Sequence, residues 1–484
     1  MTTPADRRLS WSTDRLSDSR PEVSARTLWA RGQLRFLLGL AVLIVVGLLL
    51  SPRWTGVLLM IGCTSVYLAV ISHRLILIRT AIARPDMIRI SDAEAREFPE
   101  KLLPVYTVLV PAYGEPEVVG QLLANLTAID YPRDKLDIKL LLEEDDHPTR
   151  EAVAAAGIPP GFEVVVVPPA EPRTKPKACN YGLQTARGRY VTIYDAEDKP
   201  EPLQLRRAVV AFSRADPRTA CLQAKLSYHN FDQNLITRWF TAEYDVWFSY
   251  LLSGLVGTGT PVPLGGTSNH IRRRALRTFG GWDPYNVTED ADLGIRLARA
   301  GLRVEVLDSV TMEEANSDFV NWVKQRSRWY KGYLQTFIVH TRDPRRLVRE
   351  VGLKGALGFS LFVGGTPILA MLNPLFWGLA VLWVAGEPSW IAALFPPVVY
   401  HLALACGLLG NMATVYSTIV CNRGSGHHRL VMSGLLAPAY WVMMAMAAVK
   451  GALQLVLAPS HWEKTIHGLD LTKSGAKPSA DEAS

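Results

Sequence analysis

A doubly wound α/β domain set between α-helical membrane segments is the architecture this sequence predicts, on three observations. The long apolar runs are confined to residues 36–78 and 353–458, although the 484-residue chain is 49% hydrophobic overall. Between them, short apolar runs alternate with stretches of helical spacing, the pattern of a parallel sheet wound with helices. Acidic clusters stand just beyond those runs, at the strand ends where open α/β sheets bind ligands.

Residues 1–28 are polar, without an apolar period, and are expected to form a disordered tail. They contain no apolar h-region, so no cleaved leader is expected. Residues 34–78 read as a membrane hairpin. Its halves, 36–50 and 54–72, lie near the ~20 residues that cross a bilayer, with Ser51, Pro52 and Arg53 at the turn. Arg26, Arg31 and Arg35 precede it and His73, Arg74, Arg79 and Arg84 follow, which puts both ends on the cytoplasmic side of a cell membrane.

A cytoplasmic domain is expected over residues 100–318. Strands are predicted at 106–110, 136–142, 163–167 and 190–194, and helices at 118–129 and 181–186. The first strand runs into Pro111, Tyr113 and Glu115, and the second into Glu143, Glu144, Asp145 and Asp146. Period-two alternation aims Glu143 and Asp145 the same way, so one of them can accept hydrogen bonds from a nucleobase.

The fourth strand ends in Asp195, Glu197 and Asp198. Three carboxylates within four residues repel one another, and converge only around a cation or a proton. Oxygen ligands of this kind suit Mg²⁺ or Mn²⁺ bridging to a diphosphate. A solvated acidic turn would explain one such cluster; two, at the ends of neighbouring buried strands, favour a site. Lys175 and Lys177 supply cations that can meet a diphosphate. Gly265 and Gly266 allow a ligand close to the backbone, although such a pair is commonly only a turn. Thr288 is an expected N-cap, with Glu289 and Asp290 in the first helical turn, a favourable arrangement even without catalysis.

Residues 319–340 mix aromatic with basic side chains, as an interfacial amphipathic helix should. Apolar stretches at 353–385, 390–420 and 430–457 follow. Residues 386–389 carry no basic residue and belong outside; residues 422–429 are basic and belong inside. Four spans are expected, two before the domain and two after it, with 430–457 interfacial so that the segment beyond it stays beside the domain.

The net charge of +7 fits a protein pressed against anionic lipid. No basic stripe interleaved with aromatics appears, so nucleic acid is not an expected partner. The five cysteines include no C-x-x-C pair, which argues against a zinc site or a disulfide framework.

In their order, these residues resemble the processive membrane-integrated glycosyltransferases of family 2, the group of cellulose, hyaluronan and chitin synthases. The resemblance spans roughly residues 100–470. It runs through Pro111 to Glu115, the acids after the second strand, Lys177 to Asn180, Asp195 to Asp198, Gly265-Gly266 and Thr288-Glu289-Asp290. It closes on Gln325-x-x-Arg328-Trp329 and a late segment, Trp462 to Gly468.

The resemblance implies a GT-A-like, nucleotide-sugar-binding fold and an inverting enzyme. Such an enzyme would polymerise units from a UDP-hexose or UDP-N-acetylhexosamine into a β-linked polysaccharide and extrude it across the plasma membrane. Asp290 would be the base, with Glu289 and Thr288 beside it. Pro111, Tyr113, Glu115, Glu143, Asp145, Lys177, Asp195 and Arg328 would bind the donor, and Asp195 with Glu197 or Asp198 the metal. Gly266, Gln325 and Trp329 would meet the growing polysaccharide. Trp462, Lys464, Thr465, His467 and Gly468, within residues 459–470, would form a gating loop, followed by a disordered tail at 472–484.

Two departures stand out. The family's second-strand aspartates are Glu143 and Glu144 here, and the D-x-D slot has Glu197 followed by Asp198, as in a bacterial branch outside the best-known cellulose synthases. Regulation or export would fall to partner proteins. The alternatives are single-sugar transfer to a lipid-phosphate or other membrane acceptor, and an idle receptor or scaffold that keeps the fold.

Overall fold

A computed structural model describes residues 4–459, His461 and Glu463. Trp462, Lys464, Thr465, His467 and Gly468, and the tail at 472–484, lie outside the described residues. Nine strands form one sheet: β1 (Met87–Ile88), β2 (Tyr106–Ala112), β3 (Leu136–Glu143), β4 (Phe162–Val167), β5 (Tyr190–Ile193), β6 (Lys199–Pro200), β7 (Thr219–Tyr228), β8 (Asn269–Arg272) and β9 (Arg303–Glu313). The order is β1-β9-β7-β8-β5-β2-β3-β4, with β6 pairing β9 at one end.

β2 and β3 are buried on both faces, hence their largely apolar sequences; the two charges inside β3, Asp137 and Lys139, are buried and pair with each other at 3.3 Å. Alternate residues feed two cores: Leu109, Leu141 and Val191 pack on one side, Val108, Val110 and Leu140 on the other. The first core is continuous with residues such as Leu77, Ile78 and Phe359, which lie on two long apolar helices, Pro52–Ala83 and Pro344–Gly386, so the sheet and these helices share packing.

The sheet is mixed, which corrects the all-parallel expectation. β8 runs antiparallel to both β5 and β7. The reason is the path of the chain. β8 runs antiparallel to β7, so the helical segment Leu235–Thr258 joins them without the crossover that a parallel neighbour requires. One result matters for function: β2, β3, β5, β7 and β9 all end at one edge.

The expectation of a disordered tail over residues 1–28 is corrected for the described residues 4–28. Pro4–Ser19 is a helix that packs on the helix Lys175–Leu183, and Ser12, Leu16, Val23, Ser24 and Ala25 are buried. Asn180 Nδ2 donates to Ser12 O at 3.1 Å, and Gln184 Nε2 to Arg8 O at 2.8 Å. Arg8 and Arg20 lie over the rings of Tyr181 and Phe279. The docking rests on backbone carbonyls and cation–π contacts, which leave no apolar period to read.

Five helices among the described residues are long and apolar enough to cross a membrane: Arg31–Leu50, Pro52–Ala83, Pro344–Gly386, Pro397–Gly424 and Ala437–Leu457. The third contains a break at Gly352, where φ is 75°, and a π-turn at Ser360–Gly364. Length and composition thus allow a fifth crossing where an interfacial stretch is expected. Ala437–Leu457 nevertheless lies along the helix Phe319–His340 from Tyr440 beside Trp322 to Leu455 in the cluster around Leu334. A Cβ on Gly451 would lie 2.6 Å from Ser327 O, so the two backbones meet at a residue without a side chain.

Candidate active site

A cavity of about 790 Å³ opens at the carboxyl edge of the sheet. Its acidic end is built from strand ends. Asp195 and Glu197, just after β5, line it, as do Glu143 at the end of β3, Asp145 beyond it, and Tyr113 and Glu115 after β2. Asp198 does not line it. It is 1% exposed and lies under the turn, where its Oδ2 accepts Asp195 N at 2.8 Å and meets Thr267 Oγ1. Its Oδ1 is buried without a hydrogen-bond partner, and burial plus the charges of Asp195 and Glu197 hold the carboxyl well above its usual range.

Lys175, at the start of its helix, pairs with Asp195 and donates to Gly266 O at 2.9 Å. Burial works against its charge, but Asp195 and Glu289 outweigh burial and hold the ammonium above its ordinary range. Lys177 also sits behind the wall. Fully buried, it pairs with Glu143 Oε2 at 2.7 Å and fixes that carboxylate at the cavity surface. Asp145 is paired with Arg173 at 2.6 Å.

Glu289 and Asp290 open the helix Glu289–Arg299, and both line the cavity. Burial and mutual repulsion push Glu289 up to about 8; burial, offset in part by the backbone N–H of Ala291, pushes Asp290 to about 6. Gly266 stands opposite, since a Cβ there would lie 3.5 Å from Asp290 Oδ2. Thr288 occupies the N-cap position without capping through its side chain, a correction to the expected cap. Its hydroxyl points at Asn286, and its methyl fills the space left by Gly332. Arg328 completes this end: burial lowers its pKa against the pull of Glu289, Asp195 and Asp290, and Nη1 donates to Glu463 O at 3.0 Å.

No three acidic, histidine or cysteine side chains among the described residues make a finished metal cage. Asp195 and Glu197 fit a hard divalent ion that takes its remaining oxygens from a substrate diphosphate.

The family model described as glycosyltransferase like family 2 matches residues 104–332. That segment is similar to family 2 glycosyltransferases. Curated relatives match at similar distance. A probable glycosyltransferase of Bacillus subtilis is 28% identical over 236 residues, 48% of this chain and 56% of its own length. Glucomannan 4-beta-mannosyltransferase 2 of Arabidopsis thaliana is 28% identical over 311 residues, 60% of this chain and 54% of its own. Beta-monoglucosyldiacylglycerol synthase of Trichormus variabilis is 27% identical over 241 residues, 49% of this chain and 50% of its own. The chain therefore spans about half the length of the curated relatives it matches. Among solved structures, a mannosyltransferase from Pyrobaculum calidifontis in complex with GDP-Man and Mn²⁺ superposes with a TM-score of 0.52. It is 21% identical, covering 81% of this chain and 99% of its own. The shared fold is GT-A-like.

The far end of the cavity is aromatic. Trp329 stacks on Tyr244 at 6.1 Å between ring centroids, and Trp247 packs on Tyr333 at 6.0 Å. Gln325, on the same helix as Trp329, lines the cavity and accepts from Asn316 Nδ2 at 3.2 Å. Arg326 lies 4.4 Å from the Trp329 ring centroid and pairs with Glu243. The wall continues to Thr366, on a helix long and apolar enough to span.

Pro111, Gly266, Gln325 and Trp329 thus share one cavity with Asp195, Asp290 and Arg328, whereas Lys177 and Asp198 stand behind its wall. Sequence reading missed Glu313, Glu243, Tyr244 and Trp247 in the lining. Only Glu313 had a usable signal, as the last residue of a strand.

Proposed function

We propose that this protein is an inverting, processive glycosyltransferase. It would transfer a hexose or N-acetylhexosamine from a nucleotide sugar to the end of a β-linked polysaccharide and pass the polymer across the plasma membrane. The observation that carries the reading is the cavity itself. Its acidic end suits a nucleoside diphosphate, its aromatic end suits sugar rings, and its wall reaches a helix long and apolar enough to span a membrane. The relative named for glucomannan synthesis supports a polymer product.

In this reading Glu143 and Asp145 face the base, with Lys177 holding Glu143 in place. Asp195 and Glu197 hold Mg²⁺ or Mn²⁺, which when bound supplies positive charge to the departing diphosphate. Arg328 adds charge-assisted hydrogen bonds to the same group. Trp329 and Gln325 set the acceptor ring so that its hydroxyl meets the anomeric carbon. Asp290 takes the hydroxyl proton as the oxygen–carbon bond forms. The carbon–phosphate-oxygen bond breaks, and its electron pair leaves with the nucleoside diphosphate. Attack opposite the leaving group turns an α-linked donor into a β-linked product.

A second reading, single-sugar transfer to a membrane lipid, is favoured by the relative named for monoglucosyldiacylglycerol synthesis. Purified protein in lipid nanodiscs, given radiolabelled UDP-glucose, UDP-N-acetylglucosamine or GDP-mannose with Mg²⁺ or Mn²⁺, separates the two. High-mass, glycosidase-sensitive product is the expected result. Label confined to the organic extract would favour the lipid reading, and no turnover with any donor would sink both.

The reading also requires a cytoplasmic domain. A cysteine placed at His461, in a background lacking the native cysteines, should react with a membrane-impermeant maleimide only after cells are permeabilised. Labelling of intact cells would overturn the expected topology.

A further inference from the structure

We propose that Glu313 is a donor-sugar recognition residue, its carboxylate accepting hydrogen bonds from the hydroxyls of the transferred hexose. This deepens the glycosyltransferase reading and rests on it.

Glu313 is the last residue of β9. Its register partner on β7 is Tyr228, and its carbonyl accepts His229 N at 3.1 Å. The strand thus delivers it to the same edge as Asp195, and its side chain lines the cavity. Among the described residues the carboxylate takes part in no hydrogen bond and no ion pair. The neighbouring acids differ in this respect: Asp195 pairs with Lys175, Glu143 with Lys177 and Asp145 with Arg173. A part-buried carboxylate left without a partner is costly unless a ligand satisfies it.

Its surroundings fix which part of the ligand that is. On one side Glu313 feels the charges of Asp198, Glu197, Asp195 and Lys175, the end suited to the diphosphate. On the other, its charge acts on Tyr228 and Tyr244, and Tyr244 stacks on Trp329 at the acceptor end. The residue lies between diphosphate and acceptor, where the transferred ring must sit. Of the three parts of the ligand, only the sugar presents hydroxyl donors there. A diphosphate offers acceptors alone, which a carboxylate repels. The acids nearer the turn can share a cation, whereas Glu313 gains most from a neutral O–H donor. Arranged this way, it also favours a ring bearing free hydroxyls over one from which they are missing.

The test uses the full chain in nanodiscs and the conservative variant Glu313→Gln, with Mn²⁺ present. Affinities are measured for UDP and UDP-glucose, and for GDP and GDP-mannose. The sugar nucleotide that binds wild type more tightly is then compared with its series of single-deoxy analogues. The expected result is unchanged nucleoside diphosphate affinity with the nucleotide sugar weakened roughly ten- to a hundred-fold, the range of a lost charge-assisted bond. One deoxy analogue should bind wild type and variant alike, because it lacks the hydroxyl in question. An equal loss for nucleotide and nucleotide sugar would place Glu313 on the diphosphate or cation and overturn the proposal, as would no loss for either. If wild type binds no nucleotide sugar at all, the glycosyltransferase reading itself has failed, a result distinct from both.

Discussion

Replacing Asp290 with asparagine should lower the transfer rate by roughly a hundred- to ten-thousand-fold, the usual contribution of a positioned general base. Donor affinity should stay close to wild type. Asn keeps the shape opposite Gly266 and at the helix start but cannot take a proton at neutral pH. The fall should therefore appear in kcat, with the dissociation constant for UDP and Mn²⁺ little changed. Retained polymerisation, or an equal loss in nucleotide binding, would remove Asp290 from the base role. The acid limb of kcat/KM gives a second check. Burial pushes Asp290 up to about 6 in the free protein, and the base acts only when ionised. Activity should rise with pH through that value and then level, and the limb should vanish in Asp290→Asn. A limb near the ordinary aspartate value of about 4 would argue against a buried base.

Trp329→Ala asks a different question of the same helix. It removes the ring that Tyr244 and Arg326 hold in the aromatic wall. If that wall holds an acceptor sugar, the variant should still hydrolyse donor or start short products while losing high-mass polymer. The large apolar face of a tryptophan is what a sugar's C–H face packs against, and alanine removes it. Gel filtration of labelled product would show the shift, and unchanged product length would dissociate Trp329 from the acceptor.

The strand ends were legible because burial writes itself into sequence as predominantly apolar runs, and the carboxylates clustered beyond them stand out. β2, β3, β4 and β5 appeared within a few residues of their observed bounds for this reason. What spacing cannot convey is which way a side chain turns once the chain folds. Asp198 is drawn inward by Thr267, 69 residues later, and Lys177 reaches back to Glu143, 34 residues earlier. Neither pairing leaves a local pattern. β8 was invisible for a related cause: its direction follows from the path of Leu235–Thr258, not from its own four residues. The tyrosines and tryptophans of the aromatic wall lie in helical runs where an aromatic is equally at home in a core.

The N-terminal segment shows how far such a long-range effect can reach, and it leads to the second large expected change. Deleting residues 4–28 should cost at least ten-fold in activity even though none of them lines the cavity. The segment clasps the two elements that carry the acids' partners. Asn180 accepts Trp282 N at 3.0 Å and donates to both Trp282 O and Ser12 O, tying the Lys175 helix to the loop before Thr288. Asp283, buried in that loop, accepts Ala25 N at 2.6 Å and Ser24 Oγ at 3.3 Å. Arg342 donates to Pro21 O, Ser24 O and Leu28 O, which joins the clasp to the end of the helix bearing Arg328 and Trp329. Removing the clasp takes Ala25 N and Ser24 Oγ from Asp283 and Ser12 O from Asn180, while the bonds of Asn180 to Trp282 and of Asp283 to Tyr285 N remain. The loop then gains freedom, and with it the helix start at Glu289 and Asp290. Gly281→Ala should mimic the deletion in full-length protein. Its φ of 74° disfavours a side chain, and the added Cβ would collide with Asn180 Oδ1. If the clasp acts through position, both variants should lose kcat and keep UDP affinity. The deletion should also recover activity when a peptide of residues 4–28 is supplied. Full activity in both, or loss of folded protein in both with no rescue by peptide, would reduce the clasp to ordinary packing.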